Sequence, residues 1–261
     1  MHDLRAALGS EQLSLAYQPI VRAEDGLITG VEALLRWTHP TRGPMPALAT
    51  VLLAEQHNLI LELGAWVLER AMSDRGDWLR DHPGQPLGLA VNVSTRQIME
   101  PGLPELVAGL LDRFGMAPAA LTLEMTESIF LDDNARAMSA LGQVKALGVQ
   151  LALDDFGTGY SSLSYLRRYP VDLVKIDQAF VGDIGVEATG GAIVAAVTNL
   201  AHVLGMRVIA EGVETDRQRQ EVIRFGCEAA QGYFYARPMD ADDISRHLQA
   251  QPWALRLPTR A

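Results

Sequence analysis

Apolar residues along this chain switch between two periods. Leu13 to Ile20 (LSLAYQPI) alternates as a strand, and Leu27 to Trp37 (LITGVEALLRW) follows closely enough to pair with it as a hairpin. Residues 3–9 predict a short helix before them, and Thr38 to Pro46 a loop. Ala49 to Glu55 and Leu59 to Trp78 then carry apolar side chains at helical spacing. From there strand and helix alternate. Strands are predicted at Leu87–Val93, Leu121–Met125, Gln150–Asp155, Leu173–Ile176, Arg207–Ala210 and Gln231–Tyr235. Helices are predicted at Leu103–Phe114, Asp132–Leu147, Leu163–Arg168 (short), Gly190–Leu204, Arg217–Phe225 and Ala241–Gln249, several closed by a glycine.

Short strand–helix connections are the pattern of a parallel sheet built from βαβ units. About eight strands in roughly 250 residues predict a closed (β/α)8 barrel, with a doubly wound open sheet as the alternative. The first two strands have no helix between them, so the barrel is expected to be irregular at its start. No linker or low-complexity segment interrupts residues 1–261, which predicts one domain.

The chain has 261 residues and a formal net charge of −10. An acidic surface disfavours nucleic-acid polymers and anionic membranes, which attract basic faces. No apolar run is long enough for a membrane span, and the N-terminus lacks the apolar core of a signal peptide. A single cysteine, Cys227, excludes an intrachain disulfide and reads as a small buried residue. The expected location is the cytoplasm. His39, His57, His82 and His202 read as loop or helix-surface residues.

Candidate chemistry lies at the strand ends. Strands buried on both faces should be almost wholly apolar. Here Glu32 sits in the second strand, Asn92 in the third and Glu124 at the end of the fourth, with Glu127 shortly after. Asp154 and Asp155 end the fifth, Lys175 and Asp177 the sixth; Glu211 and Glu214 follow the seventh, and Gln231 opens the eighth. Alone, Asp154-Asp155 before the loop Phe156–Ser162 could simply cap the next helix. A barrel, however, gathers C-terminal strand ends at one mouth. So many carboxylates in one place need cations beyond Lys175, and oxygen ligands without paired His or Cys suit Mg²⁺ or Mn²⁺. Adjacent aspartates can face two ions, the apparatus of phosphodiester hydrolysis.

The ordered motifs resemble the EAL domain family of bacterial cyclic-di-GMP phosphodiesterases. They are YQPI (17–20), EALLRW (32–37), NVS (92–94), LTLEMTE (121–127), LDDFGTGYSSL (153–163), VKID (174–177), AEGVE (210–214) and QGY (231–233), spanning about residues 10–248. The resemblance implies a modified (β/α)8 TIM-type barrel with one antiparallel strand near the N-terminus. It implies that Glu32, Asn92, Glu124 and Asp154 bind one metal, and that Asp155 serves a second with Glu127 or Glu211 nearby. Lys175 and Glu211 would contact or activate the attacking water. Gln18, Leu35, Arg36 and Gln231 would contact substrate or support the site, and Glu127 would anchor the Phe156–Ser162 loop, coupling it to a subunit interface. The implied reaction is Mg²⁺- or Mn²⁺-dependent hydrolysis of cyclic di-GMP to pGpG, inhibited by Ca²⁺, in a homodimer that commonly accompanies GGDEF or sensory domains. A catalytically silent cyclic-di-GMP receptor is the alternative, and an enolase-type barrel a third. The helix after Arg42-Gly43 departs from the family pattern, with His57-Asn58 where Thr-Gly is usual.

Overall fold

The protein is described by a computed structural model covering residues 2–130, 135–157, 167–186 and 190–250. After helix α1 (His2–Ala7), strands β1 (Leu13–Arg22) and β2 (Ile28–His39) form the expected antiparallel hairpin, which sets Gln18 opposite Glu32. The loop expected over residues 38–46 holds a short strand, β3 (Gly43–Met45), paired with the outer end of β2. Helices α2 (Ala47–Gln56) and α3 (Ile60–Asp81) follow. They part at Asn58, whose φ of 56° is left-handed. Asparagine tolerates that region better than most residues, so it can stand where the related pattern has glycine.

The remaining elements alternate: β4 (Gly88–Asn92), α4 (Thr95–Ile98), α5 (Leu103–Phe114), β5 (Leu121–Thr126), α6 (Ala135–Ala146), β6 (Gln150–Phe156) and β7 (Leu173–Ile176). Then come α7 (Gln178–Gly182), α8 (Gly190–Val203), β8 (Arg207–Ala210), α9 (Asp216–Phe225), β9 (Ala229–Ala230) and α10 (Ala241–Ala250). The strand order β1-β9-β8-β7-β6-β5-β4-β2 closes through the β1–β2 pairing into an eight-stranded barrel. Only β1 runs antiparallel to both of its barrel neighbours. This is the modified (β/α)8 barrel.

Helix α3 buries Leu63, Val67, Leu68, Ala71, Met72 and Trp78 against the sheet. Truncating a fully buried leucine such as Leu68 to alanine should cost about 2–5 kcal/mol. Polar groups fix the seam between α3 and β1. Tyr17 Oη donates to Asp74 Oδ2 at 2.6 Å, Arg70 Nε lies 2.9 Å from Asp74 Oδ1, and the Tyr17 ring meets Trp78 edge-on at 4.8 Å. The next residue along β1 is Gln18, so this clasp also places a side chain of the mouth.

Three expectations need correction. Gln231–Tyr235 is not a strand: the eighth barrel strand is Ala229–Ala230, and Gln231 follows it. Gly232 turns the chain, at φ 155°, where an added Cβ would lie 2.2 Å from the Val213 backbone. His39 is not a surface residue. It is buried, its Nδ1 accepting from the Thr41 and Arg42 amides and its Nε2 lying 3.3 Å from Asp3 Oδ2. Helix α4 was not anticipated, although Ser94 and Gln97 form a capping box that marks its start. The short helix expected from Leu163 and the loop beyond Gly157 lie outside the described residues. Cys227 is buried, as expected.

Candidate active site

Inward-facing residues form two layers in the barrel. The lower holds Ile20, Ala90, Ala152, Leu173 and Ile209, with Ala229 packed against them. Two residues along each of those strands toward the C-terminal mouth stand Gln18, Asn92, Asp154, Lys175, Glu211 and Gln231. Strand side chains repeat their facing every two residues, so the polar layer follows directly from the apolar one. For β1 the step runs backwards in sequence because that strand is antiparallel.

Lys175 lies at the centre of the polar layer and is fully buried. Its Nζ is 2.7 Å from Glu211 Oε1, 2.9 Å from Glu124 Oε2, 3.2 Å from Asp154 Oδ1 and 3.3 Å from Glu32 Oε2. Burial alone would favour a neutral lysine, but these four carboxylates outweigh it and hold the ammonium charged. Glu32 is further tied by Asn92 Nδ2 at 2.7 Å and Gln231 Nε2 at 2.8 Å. Burial pushes Glu32 up, yet Lys175, Gln231 and Asn92 together bring it below the usual carboxylate range. Gln231 Nε2 also reaches Gln18 Oε1 at 2.9 Å, and Gln18 is anchored on the Ala236 carbonyl.

One lysine does not satisfy this cluster. Burial raises Glu124 well above its usual range despite Lys175, and its Oε1 is buried without a hydrogen-bond partner. Burial and the charge of Asp154 raise Asp155 to about 6, and burial raises Glu211 to about 7. Two sets of acids offer oxygens within 4.8 Å of one another: Glu32, Glu124 and Asp154, and Asp154, Asp155 and Glu211. Asp154 belongs to both. The acid sets offer oxygen donors only, and five carboxylates face the single ammonium of Lys175, so these residues fit a pair of hard divalent cations.

Adjacent strand residues normally point to opposite faces. Asp154 and Asp155 both serve the mouth because β6 is irregular there. Its register with β7 shifts between Leu153 and Phe156, and Asp155 takes a left-handed φ of 55°. Such bulges re-aim side chains beside active sites. Glu127 is not with the acids. Its Oε1 accepts the Gly157 amide at 2.7 Å, immediately beyond the bulge. Asp177, after β7, caps α7 instead of joining the acid sets, its carboxylate accepting from Ala179 N at 2.7 Å; the helix that Asp154-Asp155 could have capped lies outside the described residues.

A cleft of about 200 Å³ opens above the cluster, lined by Gln18, Glu32, Asp155, Asp177, Glu211 and Tyr233 among others. Asp177, just past the end of β7, stood among the strand-end acids and in the VKID motif without an assigned role, and Tyr233 stood only in the QGY motif. Arg36 and Leu35 are not on the cleft wall. Arg36 shares the face of Glu32 roughly 13 Å further along β2, at the rim. Leu35, on the opposite face, packs against the core.

The sequence profile of the EAL domain matches residues 1–238. The chain belongs to the EAL domain family. Among relatives of this EAL domain is the bifunctional diguanylate cyclase/cyclic di-GMP phosphodiesterase MucR of Pseudomonas aeruginosa, 42% identical over 94% of the chain and 36% of MucR. An uncharacterized protein of Mycobacterium bovis is 41% identical over 92% of the chain and 80% of that protein. The chain thus spans about a third of MucR and most of the mycobacterial relative. The solved PaMucR phosphodiesterase in complex with c-di-GMP superposes with a TM-score of 0.86 at 42% identity, covering 93% of this chain and 98% of the other. The EAL enzyme Bd1971, bound to cAMP and cyclic di-GMP, gives a TM-score of 0.89 at 31% identity over 95% and 67% of the two chains. No helix among the described residues is long and apolar enough to cross a membrane.

Proposed function

We propose that this EAL domain is a metal-dependent phosphodiesterase that hydrolyses cyclic di-GMP to linear pGpG. The observation that carries the reading is the pair of acid sets sharing Asp154 around Lys175 at the barrel mouth. The likeness to the c-di-GMP complex of PaMucR supplies the substrate class.

Glu32, Asn92, Glu124 and Asp154 would hold one divalent cation, and Asp154, Asp155 and Glu211 a second. Mg²⁺ or Mn²⁺ bound there supplies charge to the phosphoryl oxygens and makes a water acidic enough to attack. The residues do the rest. Gln231 and Asn92 orient Glu32. Lys175 offsets part of the negative charge of the cluster, which would otherwise repel an anionic substrate. Glu211, whose Oε1 lies 2.7 Å from Lys175 Nζ, would contact or activate the attacking water together with that lysine. The reaction forms one bond from water oxygen to phosphorus and breaks one P–O3′ bond, with the proton passing to O3′. Gln18, at the cleft wall, and Arg36, further along β2, would contact the dinucleotide in this reading, the guanidinium by its match to phosphate; Leu35 would act only through the shape of β2.

Residues 10–248 form the catalytic unit in this reading, working in the cytoplasm as a homodimer and in company with GGDEF or sensory domains. Ca²⁺ inhibits, because its longer and looser coordination misplaces the water. The test is turnover of cyclic di-GMP by the purified protein with Mg²⁺ or Mn²⁺. Linear pGpG is the expected product, and Ca²⁺ alone should give none.

A further inference from the structure

The lower layer of the barrel is underfilled. Inner layers of such barrels are usually packed with bulky branched side chains. Here Ala90, Ala152 and Ala229 occupy positions beside Ile20, Leu173 and Ile209. Below them, at the end opposite the acid cluster, lies a cavity of about 510 Å³. Gly30 and Gly88, on adjacent strands, add no side chains to its wall.

One charged side chain is buried on that wall. Arg75, from α3, is only 9% exposed. Its Nε donates to the Leu87 carbonyl at 2.7 Å, and it makes no other hydrogen bond and no ion pair among the described residues. Buried charges are normally paired, because desolvation is costly. Burial lowers the pKa of Arg75, and no acid opposes the shift. The acid on the wall, Glu228, is already engaged, accepting from Val208 N at 2.7 Å and lying 3.0 Å from His202 Nε2. Arg207, also on the wall, donates to Gln150 Oε1 at 2.5 Å and adds a second positive charge.

We propose that this cavity is a second ligand site, for a small carboxylate carried on an aromatic or branched aliphatic body. The guanidinium of Arg75 takes the carboxylate, whose planar pair of oxygens matches its fork. Ile20, Leu173 and Ile209 receive the apolar body. The site is separate from the proposed catalytic centre and lies one residue layer beneath it on the same strands. Its occupancy does not depend on the phosphodiesterase reading.

Benzoate is the probe, with benzyl alcohol as its neutral counterpart and inorganic phosphate as an anion without an apolar body. Binding to the purified chain is followed by ligand-observed NMR and calorimetry. Benzoate should bind saturably and about tenfold or more tighter than either control. Arg75→Gln should weaken benzoate about tenfold or more while leaving benzyl alcohol unchanged. Ala90→Leu, or Ala229→Leu should the first not fold, fills the cavity and should abolish binding, with folding checked by circular dichroism. Absence of saturable benzoate binding up to about 20 mM would overturn the proposal, as would equal binding of benzyl alcohol or undiminished binding in the folded filling variant.

Discussion

Lys175 Nζ lies 2.9 Å from Glu124 Oε2, and both residues are fully buried. Three further carboxylates share the same ammonium. Removing it leaves buried acids with no cation, which is far costlier than the pair itself is worth. Lys175→Met should therefore destabilise the metal-free protein by about 3–5 kcal/mol near pH 8 in urea unfolding. The loss should shrink at lower pH, where the acids take up protons. Wild-type stability at pH 8 would show that Lys175 does not hold the cluster together.

Glu211 and Asp155 have carboxyls raised to about 7 and about 6. A raised carboxyl binds protons more tightly in the folded state. Its stabilising effect is complete at low pH and is lost as pH rises through the folded value. In EDTA, the stability of wild type relative to Glu211→Gln should therefore fall between about pH 5 and pH 8. Mg²⁺ should restore more stability at the upper end, since binding must expel those protons. Calorimetric melts of both proteins measure this, and a pH-independent difference would contradict it.

Glu127 holds the Gly157 amide two residues beyond Asp155. A support of that kind would act by fixing the backbone beyond the bulge. Glu127→Ala should lower kcat by about 10–100-fold, the usual effect of losing an outer support. Glu127→Gln keeps an acceptor and should recover most of the rate. Steady-state kinetics with both variants separates a positioning role from a need for charge. If the loop also couples to a dimer interface, Glu127→Ala should shift the monomer–dimer balance in analytical ultracentrifugation; a fully active monomer would contradict that coupling.

Arg36 stands at the rim, away from the acids. Arg36→Ala should raise KM for cyclic di-GMP by about tenfold with kcat little changed, as expected for binding equal in ground and transition states. An equal loss in kcat would place Arg36 in the chemistry.

Most of the barrel was legible because its strands and helices have distinct apolar periods, and because polar residues interrupt strands only where they face the mouth. Gln231–Tyr235 misled for a backbone reason: its composition suits a strand, but Gly232 takes a conformation that turns the chain. The acids themselves were legible one by one. That Asp154 is shared between two sets was not, because it depends on the shifted register of β6 and the left-handed Asp155. Likewise, the burial of His39 depends on α1 folding back to bring Asp3 beside it. Arg75 carried no signal in the sequence, since nothing local to it reports a cavity beneath a layer of alanines.

The central claim is that the acids around Lys175 support attack of water on a cyclic dinucleotide. Hydrolysis of cyclic di-GMP in ¹⁸O-labelled water tests it most directly, with Mn²⁺ present and Glu32→Ala run in parallel. The account predicts linear pGpG carrying one labelled oxygen on its 5′-phosphate from the wild type, and intact cyclic di-GMP from Glu32→Ala. Cyclic di-GMP that binds the wild type yet is recovered intact and unlabelled would contradict it, leaving a receptor in place of an enzyme.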